Sequence, residues 1–205
     1  MTDADRRITL LACFENAAVI VSGVVDDELG HPTPCPRYDV AGLIDHLVEA
    51  GRRAAALGRG QAPPSGDDSP HVDLADAPLL LRDAADEAAR AWSEDAQLKS
   101  RYTMPWGEEY TGATLVDMYV SELATHTWDL AYATGQVAKL DRPLALPALE
   151  GARAWVKPHY RNMVEPGAPF AAEVSPAPDA DDWERLAAFM GRDSQSTLAR
   201  QGART

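Results

Sequence analysis

The sequence has few features of a secreted or membrane protein. Its only cysteines, Cys13 and Cys35, are too few for a disulfide framework and too far apart for a Cys-x-x-Cys metal knuckle. No apolar run approaches the roughly 20 residues that a membrane-spanning helix needs. The first apolar stretch is interrupted by Glu15 and Asn16, which does not fit a signal peptide. We therefore expect a cytoplasmic protein that has no membrane partner.

Positive charge is also scarce. The 205 residues include 19 lysines and arginines against 32 aspartates and glutamates, which gives a formal net charge of −13. A surface this negative repels phosphate backbones, so we do not expect nucleic acid as a partner. Hydrophobic residues make up 45% of the chain, which is enough for one substantial core and is typical of a globular protein.

Apolar residues recur at three- and four-residue steps along most of the chain, which predicts an all-α fold. Asp39 and Thr111 are suited to cap the second and fourth helices, and Gly135 is suited to end the fourth. Pro158 should bend or break the fifth. The predicted helices cover about residues 6–25, 40–57, 77–94, 112–134, 146–163 and 180–190, with a short extended piece at 170–174.

Three residues stand out as candidate metal ligands. Glu122 and His126 lie four residues apart on the inward face of the fourth predicted helix. Such a pair alone also fits a simple hydrogen bond on a solvated face, but a carboxylate in a core must be paired or bound to a cation. His46 lies on or beside the inward side of the second helix. Two imidazoles and a carboxylate are a frequent ligand set of catalytic zinc, and bundles build such sites from facing helices.

Other residues could assist this site. Asp129, three residues after the second histidine, and Asp45, next to the first, compete for the role of holding an imidazole ring. Trp106 precedes the metal-binding helix and fits either a roof over the pocket or a packed core residue. Cys35, between two prolines, fits either a reactive thiol or a buried structural cysteine, and the second is commoner.

Several blocks of the sequence resemble the DinB-like bundle family, and within it the mycothiol-dependent maleylpyruvate isomerase N-terminal domain. The family has a Thr-Pro-Cys…Leu-x-x-His-Leu segment, a Glu-x-x-x-His-x-Trp-Asp-Leu-Ala…Ala-Thr-Gly-Gln block and a closing Gly-Arg-Asp. The matching blocks are Thr-Pro-Cys-Pro-Arg-Tyr-Asp-Val at 33–40, Leu-Ile-Asp-His-Leu at 43–47, Pro-Trp-Gly at 105–107, Glu-Leu-Ala-Thr-His-Thr-Trp-Asp-Leu-Ala at 122–131, Ala-Thr-Gly-Gln at 133–136 and Gly-Arg-Asp at 191–193.

The resemblance implies a four-helix bundle with a long crossover connection over residues 1–165, and a short C-terminal extension at 166–205 that packs on the bundle and ends in a frayed tail. It implies that His46, Glu122 and His126 bind a divalent metal, with Zn²⁺ expected first and Ni²⁺ or another ion as alternatives. Mycothiol or a similar thiol would be the second cofactor.

The chain also departs from the family pattern. Arg37 and Tyr38 stand where the family often has Gly-Trp, and Thr127 stands where it often has Gly. Residues 194–196 read Ser-Gln-Ser instead of Pro-x-Trp. The isomerase carries a further C-terminal domain that contributes to catalysis, and we do not expect a full one in this chain.

These observations favour a metal-dependent enzyme that uses a low-molecular-weight thiol, with transfer to a small electrophile or its isomerisation as the outcome. Its partners would be the thiol and a small-molecule substrate, and the chain would be a monomer or homodimer. Two alternatives stay open. The metal could activate water for hydrolysis, or the protein could bind metal without catalysis, as a sensor or for sequestration.

Overall fold

The computed structural model describes residues 5–61, 69–105, 107–161 and 170–193. These residues form seven α-helices, two short strands and four 3-10 turns. The α-helices are α1 (Arg7–Val21), α2 (Val40–Gly58), α3 (Ala77–Ala91), α4 (Asp95–Lys99), α5 (Gly112–Ala133), α6 (Ala145–Trp155) and α7 (Asp182–Phe189). The strands are β1 (Arg101–Thr103) and β2 (Glu109–Thr111), and the 3-10 turns are Asp26–Glu28, Val137–Lys139, Arg142–Leu144 and Pro158–Arg161.

Four of the helices surround the main core. Helix α3 packs between α1 and α2 on one side, and α5 packs between them on the other. Helices α1 and α2 touch each other only slightly, so they occupy opposite corners of the bundle. The connection 22–39 therefore crosses the bundle from one to the other. The predicted all-α, DinB-like bundle is therefore confirmed.

Helix α5 is the central element of the fold. It has 22 residues and contacts α1, α2, α6 and α7, so that every residue from 123 to 131 is buried. Polar side chains in that stretch must find partners inside the protein, because an unpaired buried polar group is costly. Neither α5 nor any other described helix combines the length and the hydropathy needed to cross a bilayer.

The helix ends follow the predicted capping residues. The Asp39 side chain accepts a hydrogen bond from the Gly42 amide at 2.8 Å, and Thr111 accepts one from Thr114 at 3.2 Å. Gly135 follows α5 with a φ of 68°, a backbone conformation in which glycine carries no Cβ penalty. All three predictions are confirmed.

Several boundaries differ from the prediction. Helix α1 ends at Val21 instead of near Val25, and the irregular stretch before α5 is an antiparallel hairpin of β1 and β2 preceded by the short helix α4. Strands of three residues are too short to show a periodicity in sequence. The predicted extended piece at 170–174 forms no strand, although the Val174 amide donates to the Ala188 carbonyl.

The C-terminal part packs on the bundle through α7, which contacts α6 and α5. Helix α6 ends at Trp155 and a 3-10 turn begins at Pro158, so the predicted break near this proline is confirmed. The predicted domain boundary at residue 165 and the predicted frayed tail lie outside the described residues.

A partly buried hydrogen-bond network ties the hairpin to the segment that follows α6. The Glu108 carboxylate accepts hydrogen bonds from Tyr110, from Tyr160 and from the Lys157 ammonium, which lies 2.7 Å away. The bond from Lys157, followed by those from the two tyrosines, lowers the pKa of Glu108 to about 2 from its usual 4.5. The folded state therefore favours the ionised carboxylate.

We predict that Glu108→Gln destabilises the protein near neutral pH and that the loss shrinks in acid. Because the pKa is lower in the folded chain, the carboxylate stabilises the fold fully above pH 4.5, and this contribution disappears as the pH falls towards 2. Urea unfolding of both proteins at pH 6 and pH 3 measures the difference. Glu109→Gln, which removes an exposed pair with Arg101, is the control; an equal loss at both pH values for Glu108→Gln would refute the prediction.

Candidate metal centre

The structure brings the three predicted ligands together between α2 and α5. The Glu122 Oε1 atom lies 2.9 Å from His46 Nε2 and 3.5 Å from His126 Nε2. The two imidazole rings are nearly perpendicular, with centroids 4.8 Å apart. One donor atom from each residue lies within 4.8 Å of the others. The three side chains therefore form one compact group of potential ligands.

The helical repeat explains this convergence. Glu122 and His126 are one turn apart on α5, so their side chains project side by side. His46 is on α2, which packs against α5 in the bundle. The group is thus fixed by two helices whose packing is set by the core rather than by a loop.

The donor set fits a divalent ion. Zinc binds imidazole nitrogen and carboxylate oxygen at about 2.0–2.2 Å, so ligands of one tetrahedral ion lie roughly 3.3 Å apart. The separations from Glu122 Oε1, 2.9 Å to His46 and 3.5 Å to His126, lie on either side of that value. Imidazole and carboxylate donors also suit Ni²⁺ and other first-row ions.

The charges around the three side chains favour the binding of a positive ion. Burial opposes ionisation of Glu122, but the charge of His126 and the hydrogen bonds from both imidazoles outweigh it and hold the Glu122 pKa well below its usual range. Burial also opposes the charged form of His126, which by itself would lower its pKa. The nearby carboxylates of Glu122 and Asp129 outweigh this effect and raise the His126 pKa to about 9. In the absence of an ion, a proton on His126 compensates the carboxylates.

Asp129 occupies the other side of His126. Its Oδ2 lies 3.0 Å from His126 Nδ1, so one ring nitrogen faces Asp129 and the other faces Glu122. The Asp129 side chain is fully buried and also pairs with Arg192, at 2.9 Å from its Nη2. This is the position that the sequence suggested for Asp129; the contribution of Arg192 was not predicted.

Tyr38 is the corresponding neighbour of His46. Its hydroxyl lies 3.2 Å from His46 Nδ1, and the two rings are stacked with centroids 4.7 Å apart and planes 22° apart. In the sequence, Tyr38 stands out only because the family often has Trp at this position. Tyr38 lies eight residues before His46 and precedes the first residue of α2, so no helical periodicity links the two residues in the sequence.

We predict that Tyr38→Phe weakens metal binding at the low end of the 10–100-fold range typical of outer partners, about 10-fold. The phenyl ring preserves the stacking, but the hydroxyl that holds His46 Nδ1 is lost. Competition of wild type and variant for Zn²⁺ against a chromophoric chelator gives the ratio. Tyr132→Phe, a half-buried tyrosine that stacks on Trp128 instead, is the matched control. Equal affinities for Tyr38→Phe and wild type would refute the prediction.

A second group of potential ligands shares His126. Cys35, His126 and Asp129 are all buried and present atoms within 4.8 Å of one another. However, the Arg192 guanidinium already neutralises Asp129, and burial raises the pKa of the Cys35 thiol. A protonated thiol is a poor ligand. The charges and the protonated thiol therefore favour the group around Glu122, and Cys35 matches the buried structural cysteine that the sequence favoured.

Of the other predicted assistants, the structure describes Asp45, which is not in the group. Asp45 accepts a hydrogen bond from the Val72 amide at 2.8 Å and lies 3.4 Å from His71 Nδ1, so the structure directs it towards the segment before α3. Trp106 lies outside the described residues. Tyr119, one turn before Glu122, was missed as a site neighbour; burial and the charge of Glu122 raise its pKa.

The protein is thus a four-helix bundle in which two histidines and a glutamate converge between two facing helices. Residues 10–131 match the family model described as the mycothiol maleylpyruvate isomerase N-terminal domain, and the chain belongs to this family. The matched range contains His46, Glu122 and His126.

Two curated relatives come from Mycobacterium tuberculosis, one from strain CDC 1551 / Oshkosh and one from strain ATCC 25618 / H37Rv. Each is 34% identical to the chain over 179 residues, which is 85% of this chain and 91% of the relative, and each is described as an uncharacterized protein. No solved structure matches the chain.

Proposed function

We propose that the protein is a divalent-metal-dependent enzyme that uses mycothiol or a similar low-molecular-weight thiol in transfer to, or isomerisation of, a small electrophile. The observation that carries the proposal is the convergence of His46, Glu122 and His126 at ligand spacing. Membership of a mycothiol-related family supports the choice of thiol.

In this proposal the three residues act as ligands and not as bases. A divalent ion held by them would act as a Lewis acid and lower the pKa of a thiol that reaches it. Three protein donors leave one position of a tetrahedral set for an outside ligand. Asp129 and Tyr38 would hold the imidazole rings with their Nε2 atoms towards the ion.

The proposed chemistry is addition of sulfur to carbon. The thiol loses its proton to solvent, a carbon–sulfur bond forms at the electrophilic carbon, and that carbon's π electrons move onto the neighbouring acceptor group. Transfer ends at this adduct once a proton is taken up. Isomerisation requires rotation within the adduct, followed by elimination of the same thiol.

The two alternatives have less support in the site. Hydrolysis needs a base near the open position, but Asp129 is held by His126 and Arg192, and Asp45 bonds to the segment before α3. Sequestration calls for a further protein ligand; Cys35, which shares a second group of potential ligands with His126, has a pKa that burial raises. The proposal also includes Zn²⁺ as the ion, a cytoplasmic location, and the thiol and substrate as the only partners of a monomer or homodimer.

A cobalt titration tests the proposal. Protein loaded with one equivalent of Co²⁺ is titrated with mycothiol while the visible and near-ultraviolet spectra are recorded. We expect a sulfur-to-cobalt charge-transfer band that saturates with thiol and that His126→Ala protein does not show. If the spectrum of the loaded wild type does not respond to thiol, the thiol mechanism is wrong, and hydrolysis or sequestration takes its place.

A further inference from the structure

We infer that Arg192, in the segment after α7, is a positioning residue of the metal centre: it holds Asp129, and through Asp129 it fixes the orientation of His126. The inference rests on the proposed metal group. It adds to the centre a residue of the closing Gly-Arg-Asp block, which lies outside the matched range: the match ends at residue 131, and Arg192 lies sixty-one residues further along the chain.

The contact between Arg192 and Asp129 is buried and two-pronged. Arg192 Nη2 lies 2.9 Å from Asp129 Oδ2, and Nε lies 3.2 Å from Oδ1. The Arg192 side chain is only 10% exposed and that of Asp129 is not exposed at all. Arg192 Nη1 donates to the Met190 carbonyl at 2.7 Å, which fixes the guanidinium plane from the other side.

Asp129 passes this constraint on to the candidate ligand. The same oxygen that accepts from Arg192, Oδ2, lies 3.0 Å from His126 Nδ1. A ring whose Nδ1–H is held in this way must present Nε2 to Glu122 and to an ion. Arg192, Asp129 and His126 therefore form one continuous chain of charged hydrogen bonds.

Arg192 is needed because the full burial of Asp129 removes its carboxylate from the solvent that would otherwise stabilise its charge. A fully buried carboxylate without a positive partner is costly in free energy, so without Arg192 the Asp129 side chain would not be held in this position and its contact with the imidazole would weaken. A guanidinium stays charged and matches both carboxylate oxygens with its planar fork, whereas an ammonium offers a single point of contact.

The local sequence explains how Arg192 reaches α5. The Gly191 amide donates to Ala188 and the Arg192 amide donates to Ala187 at 2.9 Å, which is the hydrogen-bond pattern of a Schellman helix end. Gly191 has a φ of 82°, and a Cβ there would lie 2.6 Å from the Cβ of Ala171. The Gly-Arg pair thus ends α7 and turns the arginine back towards Asp129.

Metal binding and docking of this segment should then be coupled. If the docked arginine raises metal affinity, the bound metal must stabilise docking by the same factor. The C-terminal segment would act as part of the site, although none of its residues belongs to the ligand group.

The test compares Arg192→Gln and Arg192→Lys with wild type. Arg185→Gln is the control, because Arg185 is in α7 but half exposed and 3.8 Å from Asp182. We expect Zn²⁺ affinity to fall about 10–100-fold in Arg192→Gln, by less in Arg192→Lys, and not in the control. In metal-free protein, the His126 Nδ1–H proton resonance should be protected from solvent exchange in wild type and control and lost in Arg192→Gln.

Wild-type affinity together with a retained resonance in Arg192→Gln would overturn the inference. If wild type itself binds no Zn²⁺, the proposed function fails, and the resonance alone decides the role of Arg192. If Arg192→Gln does not fold, Arg192→Lys carries the test: weaker binding in a folded protein supports the inference, and wild-type binding overturns it.

Discussion

Replacing His126 with alanine should leave a folded protein that no longer retains Zn²⁺. His126 supplies one of three donors, and its ring is also the link to Asp129. Loss of a ligand should cost more than the 10–100-fold typical of an outer partner, so we expect at least a 100-fold fall in affinity. Equilibrium dialysis against Zn²⁺ at a concentration that saturates wild type, followed by elemental analysis, measures this loss.

The same result is expected for His46→Ala and Glu122→Ala, because the three donor atoms form one group. His31→Ala is the matched control, since His31 is exposed and lies outside that group. Circular dichroism establishes that each variant keeps its helices. Full Zn²⁺ occupancy in two of the three ligand variants would show that the site is not the one described.

Replacing Asp129 with alanine should lower the free energy of unfolding by about 3–5 kcal/mol, the usual cost of removing one partner of a buried ion pair. The loss is large because Arg192 would stay buried without its counter-charge, and His126 would lose the hydrogen bond at its Nδ1. Urea unfolding of the metal-free proteins at neutral pH measures the difference.

A double variant separates the ion pair from other causes. Asp129→Ala with Arg192→Met removes both charges, so its loss should be clearly smaller than the sum of the two single losses. Asp182→Ala, which removes an aspartate that is 46% exposed, should stay within about 0.5 kcal/mol of wild type. A loss below about 1 kcal/mol for Asp129→Ala would contradict the structural role of the pair.

Much of the bundle could be predicted from the sequence because its signals are local. The capping roles of Asp39 and Thr111 and the glycine after α5 each depend on residues within one helical turn, and the structure has all three. The hairpin of β1 and β2 was missed since it depends on pairing across a turn between segments of three residues. Helix α4, with five residues, is too short for a periodic pattern.

The candidate site divides in the same way. Glu122 and His126 could be paired from their spacing on one helix, His46 was added from its place on or beside the inward side of the second helix, and the family resemblance supported all three. Tyr38 and Arg192 could not be found like this. Tyr38 precedes α2 and lies eight residues before His46, which is not a helical spacing, and Arg192 reaches Asp129 only through the packing of α7 against α5. Only the tertiary structure places an arginine from the C-terminal segment beside an aspartate sixty-three residues earlier.

X-ray absorption at the zinc edge of wild-type protein, loaded with one equivalent of Zn²⁺ and free of added thiol, shows which protein atoms bind the ion. We expect only nitrogen and oxygen in the innermost shell, with the outer scattering of two imidazole rings from His46 and His126. A sulfur scatterer in that shell would place the ion with Cys35, His126 and Asp129 instead, and would contradict the site around Glu122.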